Sequence, residues 1–206
     1  MSERDEEVSS RPPNKFELRR AKTRSDLLLL GVQRFPIKGY GPTTIEDIVR
    51  DSRYTRGAFY FHFDSKEEFF LEVIRTRPRV YGDWVSVVHD PAVTDLRSAL
   101  LAVVMRFRAA EPDAPNWTLL IAAFVEANRH NDELIAQLRG FYAGWIEDLS
   151  PLIPALQERG FCRTDLTPEQ ASHQLLAVTE GFGALDSLYG AGLEMMMDVY
   201  VRLLEP

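Results

Sequence analysis

The chain has 206 residues and 23.5 kDa, with 45% hydrophobic and 27% charged residues and ordinary shares of glycine and proline; this excludes collagen-like, low-complexity and wholly disordered classes and predicts a packed core. Its longest apolar runs, Leu27 to Val32 and Leu100 to Met105, fall far short of the roughly 18–20 residues of a membrane-spanning helix. The stretch MSERDEEVSS does not read as a signal peptide, so the expected location is cytoplasmic with no membrane partner. The lone Cys162 can form neither an intramolecular disulfide nor a zinc site built on thiols, so neither metal nor cofactor is expected.

The net charge of -7 is unevenly spread. Residues 1–10 sum to -3, residues 11–80 to +6 from fifteen cations and nine anions, and residues 81–206 to -10. Residues 1–14 read as a disordered tail. A basic N-terminal third on an acidic body suggests a polyanion-binding module joined to a domain with another task. Chance unevenness on solvated helix faces gives the same sums.

Helical periodicity dominates and strand alternation is scarce. Leu28, Gly31, Val32 and Phe35 fall at i, i+3, i+4 and i+7 on a helix from Lys15 to Phe35, ended by Pro36 and Gly39. Thr43 with Glu46 forms a capping box for a short second helix, whose buried stripe is Ile45, Ile48 and Val49 and which ends near Asp51. A tight connection at Ser52–Tyr54 leads to a third short helix, Thr55 to Phe61. Ser65 with Glu68 forms another capping box opening a longer fourth helix, which Pro78 ends or kinks. Downstream, helix-length apolar periods occupy about 92–110, 116–129, 132–149, 169–188 and Leu193 to Leu204, with Thr167-Pro168-Glu169-Gln170 as the clearest start. Pro91, Pro112, Pro115, Pro151, Pro154 and Gly160 mark bends or loops. The expected fold is all-α, in two parts: residues 15–77 and a larger helical domain over 78–206.

Two short helices joined by about three residues, flanked by longer ones and rich in cations, have the layout of a helix-turn-helix DNA-binding domain. In the third helix, small Gly57 and Ala58 permit close approach to DNA while Phe59 and Phe63 pack inward, and Phe61 is also expected in the core. Arg56 is the candidate base reader, able to grip guanine O6 and N7 with two hydrogen bonds. Thr55 and Tyr60 offer hydroxyls to phosphates, which set register without reading sequence.

Thr43-Thr44-Ile45-x-x-Ile48, followed by Gly57-x-Phe59-Tyr60-x-His62-Phe63-x-x-Lys66-Glu67, resembles the N-terminal domain of the TetR family of bacterial regulators, with order and spacing matching over about 50 residues from Thr23 to Phe70. The resemblance implies that the N-terminal half-turn of the second helix (Thr43, Thr44) and Lys66 hold phosphates, that the third helix reads the groove, and that Tyr60 and His62 lie along the DNA backbone. Surface placement alone is the alternative for Lys66 and His62. It also implies a variable helical body that binds a small molecule and dimerises through its last two long helices. The chain departs from the family pattern at Leu30-Gly31, where a small pair is usual, and at Ser52-Arg53-Tyr54, where Arg53 stands in place of the turn glycine. A non-glycine residue at positive φ costs about 1 kcal/mol, and Arg53 and Tyr54 are expected to enlarge the contact surface.

In the body, Met105, Phe107, Trp117, Phe124, Phe141, Trp145 and Phe182 stand at helical spacing, and each has ordinary core packing as its alternative role. Trp117 with Phe124, and Phe141 with Trp145, could wall one apolar cavity, with Asn128 among the polar groups beside it. Small Gly181, Gly183 and Ala184, with Met195, Met196, Met197, Tyr200 and Leu203, offer a homodimer face or a monomer core. No nucleophile, phosphate-loop, zinc or di-iron motif is present, and an enzyme is not expected. The sequence therefore points to a ligand-responsive regulator, most simply a repressor. It would bind double-stranded DNA at a palindrome as a homodimer and be released by a small apolar or amphipathic effector. The alternative is a DNA-bound scaffold whose body recruits a protein without any small effector.

Overall fold

The structure, a computed structural model, describes residues 14–76, 84–110, 116–190 and 192–206. Among these residues it contains eleven helices and no strand. Residues 1–13, Pro78, Pro112 and Pro115 lie outside them, so the expected N-terminal tail and those three breaks fall there too.

α1 (Lys15–Lys38) is capped by Asn14, contrary to its expected place in the tail; its side chain accepts from the Phe16 and Glu17 N–H groups while Glu17 reaches back. α1 runs past Pro36 for most of a turn, contrary to expectation. Gly39 ends it, at φ 86° and with its N–H on the Phe35 carbonyl, the conformation that only glycine adopts without strain. α2 (Ile45–Val49) is capped by Thr44 with Asp47, one residue beyond the expected Thr43–Glu46 pair. Thr43 is instead buried, its hydroxyl donated to the Gly39 carbonyl at 2.6 Å.

α3 (Arg56–Tyr60) is capped by Thr55. α4 (Lys66–Thr76) opens on Ser65, whose hydroxyl accepts from the Glu68 N–H at 3.0 Å, but Glu68 reaches back to the Asp64 N–H at 2.8 Å, so the box spans one residue more than expected.

The body comprises α5 (Trp84–Val88), α6 (Leu96–Ala110), α7 (Trp117–Asn128), α8 (Asp132–Leu149), α9 (Leu152–Glu158), α10 (Pro168–Tyr189) and α11 (Leu193–Leu204). The sequence reading omitted α5 and α9. α9 tolerates Pro154 because the first helical turn leaves its N–H groups without intrahelical partners. Thr167 caps α10 with Gln170 in the expected reciprocal box.

Two apolar cores result. One joins Leu27, Phe35, Tyr40, Phe59, Phe63, Phe69 and Phe70 to Trp117, Ile121, Phe124, Leu138 and Phe141, so the packing of the first four helices continues into α7 and α8. The other gathers α5, α6, α9, α10 and α11 around Leu100, Leu152, Ile153, Leu156, Met197 and Tyr200. α1 and α4 meet closely at Gly31: a Cβ there would stand 2.5 Å from Val73 Cγ2 and 2.8 Å from the Phe69 ring.

Candidate nucleic-acid interface and body cavity

The short third helix is held by its apolar side. Phe59 and Phe63 are fully buried and pack edge-on against Phe69, with ring centroids 4.9 and 4.7 Å apart. Thr55, Arg56, Gly57 and Tyr60 are exposed on the outer side. Phe61 is 60% exposed, not core as expected: it is the C-cap that follows α3, and it lies under Arg20, whose guanidinium is 5.4 Å from the ring centre. Arg56 reaches Glu46 on α2 at 2.5 Å. Glu46 is a residue the sequence reading used only as a cap. An exposed pair of this kind contributes only about 0.2–1 kcal/mol, so a guanine edge can draw Arg56 away.

The turn between α2 and α3 is built differently from expectation. Its positive-φ residue is Asp51, at φ 56°, and not Arg53. Ser52 donates its hydroxyl to the Val49 carbonyl at 2.7 Å and accepts from the Tyr54 N–H at 3.1 Å. Arg53 and Tyr54 fold back onto α1 and meet at Asp26: the tyrosine hydroxyl donates to its carboxylate at 2.6 Å and the guanidinium pairs with it at 2.5 Å. The Tyr54 hydrogen bond, with those from Lys22 and Arg53, holds the Asp26 carboxyl below the usual carboxylate range. Tyr54 is half-buried, so it braces the motif instead of widening its outer surface.

Lys66 also has a local task. Its ammonium donates to the carbonyls of Tyr40, Gly41 and Thr43 at 3.1–3.2 Å and sits 4.6 Å from the centre of the Tyr40 ring. With three N–H groups engaged, it fastens the α1–α2 loop that carries Thr44, and it can act on a phosphate only as a nearby charge. Asp47 anchors the same loop, taking Lys38 and Arg50 at 2.7 Å each and the Thr44 N–H at 3.1 Å. The Lys38 and Thr44 hydrogen bonds hold its carboxyl far below the usual range. His62 is half-buried; burial first, then the nearby Arg20 and Arg24 charges, lower its pKa.

The outer side of α2 and α3 is thus a scaffold that carries Thr44, Thr55, Arg56 and Tyr60 exposed, with half-buried His62 beside them; the Thr44 hydroxyl is bound to Asp47 and Thr55 caps the Ala58 N–H. Polar side chains presented on two short helices are what a helix-turn-helix needs to meet a major groove. Sequence comparison decides the family. Residues 31–73 match the pattern described as bacterial regulatory proteins, tetR family, and residues 96–196 match the BetI-type transcriptional repressor, C-terminal, pattern.

The chain belongs to the TetR family. It is a non-enzymatic DNA-binding transcriptional regulator. It is 28% identical over 167 residues to the HTH-type transcriptional repressor DhaR of Mycobacterium sp. (strain GP1), covering 79% of this chain and 81% of that protein. It is 26% identical over 177 residues to the uncharacterized HTH-type transcriptional regulator YwcC of Bacillus subtilis (strain 168), covering 82% and 78%. Among solved structures, the reduced form of NemR from E. coli superposes with a TM-score of 0.67 at 18% identity, covering 89% of this chain and 97% of that one, a likeness of fold.

The body of this TetR-family chain holds a cavity of about 220 Å³ walled by α6, the α8–α9 region, α10 and α11. Of the eight residues expected to line a pocket, Phe107 and Trp145 do so. Trp117, Phe124 and Phe141 belong to the core shared with the first four helices; Phe124 stacks on Phe70 at 5.1 Å. Asn128 donates to the Phe124 carbonyl and to the Tyr40 hydroxyl, Met105 is exposed, and Phe182 is half-buried away from the cavity wall. The expected two-helix cavity is absent because the Trp117 and Phe124 face of α7 turns toward α1 and α4. The sequence reading missed Arg108, Thr179 and the cavity role of Tyr200; helical period places them near apolar neighbours but does not mark them as a wall.

No helix among the described residues is long and apolar enough to cross a membrane, and none of their His, Cys, Asp and Glu side chains group to hold a metal ion.

Proposed function

We propose that this chain is a cytoplasmic, ligand-responsive repressor that binds a palindromic operator as a homodimer and is released by a small apolar or amphipathic effector. Arg56 reads a base; Thr44, Thr55, Tyr60 and His62 set register on phosphates; Gly57 allows close approach; Thr43, Arg53, Tyr54 and Lys66 support the motif from behind. On this reading residues 15–77 form the DNA-binding unit and 78–206 the effector and dimer unit. The observation that carries it is the two-sided third helix, with Phe59 locked inside and Arg56 and Tyr60 turned outward. The likeness to the transcriptional repressor DhaR supports the direction of regulation.

A dimer is supported by an exposed apolar strip at the α10–α11 corner, where Leu188 is 73%, Tyr189 79% and Met195 59% exposed. The other half of the expected dimer face is spent within the chain. Met197 and Tyr200 are buried in the second core, and Gly183 lies so close to α7 that a Cβ would meet Thr118 Oγ1 at 2.6 Å. Effector binding favours a dimer whose recognition helices are misplaced for the operator, and a coupling of about 1–3 kcal/mol changes DNA affinity about 5- to 150-fold. Sedimentation of the purified chain tests the assembly. A species of twice 23.5 kDa is expected, reduced to the single chain by Leu188→Glu with Tyr189→Glu; a monomer that binds its operator with undiminished affinity would overturn the reading.

A further inference from the structure

The cavity wall carries more chemistry than its apolar character alone. Leu100, Val103, Leu149, Leu152, Leu175 and Leu176 form an aliphatic lining, and the Phe107 and Trp145 rings, 6.3 Å apart, flank it. Among the described lining residues, three are polar: Arg108, Thr179 and Tyr200. None of these described lining residues is a carboxylate. Arg108 is exposed, so its charged head stands where the cavity meets solvent, and among the described residues it forms no ion pair. Deeper in, Thr179 Oγ1 and the buried Tyr200 hydroxyl share a 2.5 Å hydrogen bond, and Thr179 also donates to the Leu175 carbonyl.

These features sort occupants by charge. A cation entering this wall leaves water for a site whose described lining offers no anion and places a guanidinium at the mouth, which costs heavily. A neutral molecule gains the apolar contact and no more. A carboxylate on an apolar body keeps that contact and adds charge-assisted, two-pronged hydrogen bonds from Arg108. The volume of about 220 Å³ lies below the roughly 300–1,000 Å³ of sites for drug-sized ligands, so the body that fits is a short acyl chain or a single aromatic ring.

We propose that the effector is a small monocarboxylate with an apolar body, its hydrocarbon enclosed between Phe107, Trp145 and the α10–α11 wall and its carboxylate held at the mouth by Arg108. This inference rests on the effector reading given above, and it adds the ligand class and the residue that selects it. Arg108 is the specificity residue, and the Thr179–Tyr200 pair is a second polar point within the cavity.

Calorimetric titration of the full chain with octanoate, 1-octanol and octylamine tests it, because the three share one chain and differ in the head. Octanoate is expected to bind about tenfold more tightly than octanol, the worth of one charge-assisted hydrogen bond, and octylamine least tightly. Arg108→Gln should erase the octanoate advantage while leaving octanol binding unchanged, and Leu176→Trp, which fills the cavity, should abolish binding of all three. Equal affinity for the three heads, tighter binding of the amine, no binding of any, or an octanoate preference that survives Arg108→Gln each overturns the proposal. Operator release is read separately: octanoate that binds through Arg108 yet leaves DNA affinity unchanged confirms the ligand class and refutes the regulatory reading, so the two failures are distinguishable.

Discussion

Asn128 at the end of α7 donates to the hydroxyl of Tyr40 at 3.3 Å, joining residues 88 apart in sequence and tying the body to the loop before α2. The same hydroxyl donates to Glu67 at 3.2 Å, and the Tyr40 ring packs edge-on to Phe124 at 5.1 Å and beneath the Lys66 ammonium. Burial first, with the Glu67 charge, raises the Tyr40 pKa above its ordinary value, so it stays a neutral donor at every physiological pH. A movement of α7 therefore reaches the N-terminus of α2 through one side chain. Tyr40→Phe keeps the ring and removes the hydroxyl; urea unfolding should show a loss of about 1 kcal/mol, the net worth of a typical hydrogen bond. An unchanged urea midpoint would show that the hydroxyl ties nothing together.

Gly31 and Gly140 should respond oppositely to alanine. At Gly31 the new methyl meets Val73 and Phe69 well inside contact distance, and overpacking of this kind costs about 1–3 kcal/mol. At Gly140, within α8, nothing lies within 4 Å of the new Cβ, so the change should gain about 0.5–1 kcal/mol from helix propensity. Chemical denaturation of the two variants checks both signs.

Arg56→Ala should cost about 1–3 kcal/mol at the selected operator and relax one base position. Lys66→Ala should weaken all DNA sequences alike and, because three carbonyls lose their charged donor, also lower stability by about 1–3 kcal/mol. Parallel measurement of operator affinity and urea midpoint separates the two: Arg56→Ala moves the first and not the second. Glu46→Gln, which frees Arg56 from its ion pair, should raise affinity severalfold, in keeping with the small worth of an exposed pair.

How far the sequence could lead depended on the length scale of the signal. Capping residues and heptad-scale apolar periods act within one or two turns, so the short third helix, the Thr167 start and the inward turn of Phe59 were all legible. Pro154 marks a bend in the sequence yet sits in the first turn of α9, where a missing N–H costs little; Pro36 removes one hydrogen bond in the last turn of α1, with only two residues of the helix after it. The pocket was not legible. Trp117 and Phe124 have the same periodicity whether α7 faces a ligand or the first four helices, and only tertiary packing against Phe70 and Tyr40 chooses. The Asp26 contacts with Arg53 and Tyr54 are equally non-local, spanning 27 and 28 residues.

His62 gives a pH signature with two opposite signs. Its folded-state pKa is lowered from 6.5 by burial and by Arg20 and Arg24, so the unfolded chain binds the proton more readily. The stability cost is absent above 6.5 and grows as pH falls through that value toward the folded pKa. A DNA phosphate reverses the balance by favouring the imidazolium. Operator affinity should therefore rise as pH falls below about 6.5 while the free protein loses stability, and His62→Gln should flatten both trends. Affinity that stays flat with pH in the unmodified chain would remove His62 from the DNA contact.

Selection of bound duplexes from a random DNA pool at about 0.15 M salt, followed by a salt titration on the winner, tests the central claim most directly. The expected result is a palindrome whose half-sites are spaced by about one or more helical turns, roughly 34–36 Å per turn, with a guanine in each half-site lost from the consensus when Arg56→Ala replaces the native chain. An enriched single half-site, or a pool that stays random with and without octanoate, would contradict a dimeric, sequence-reading regulator.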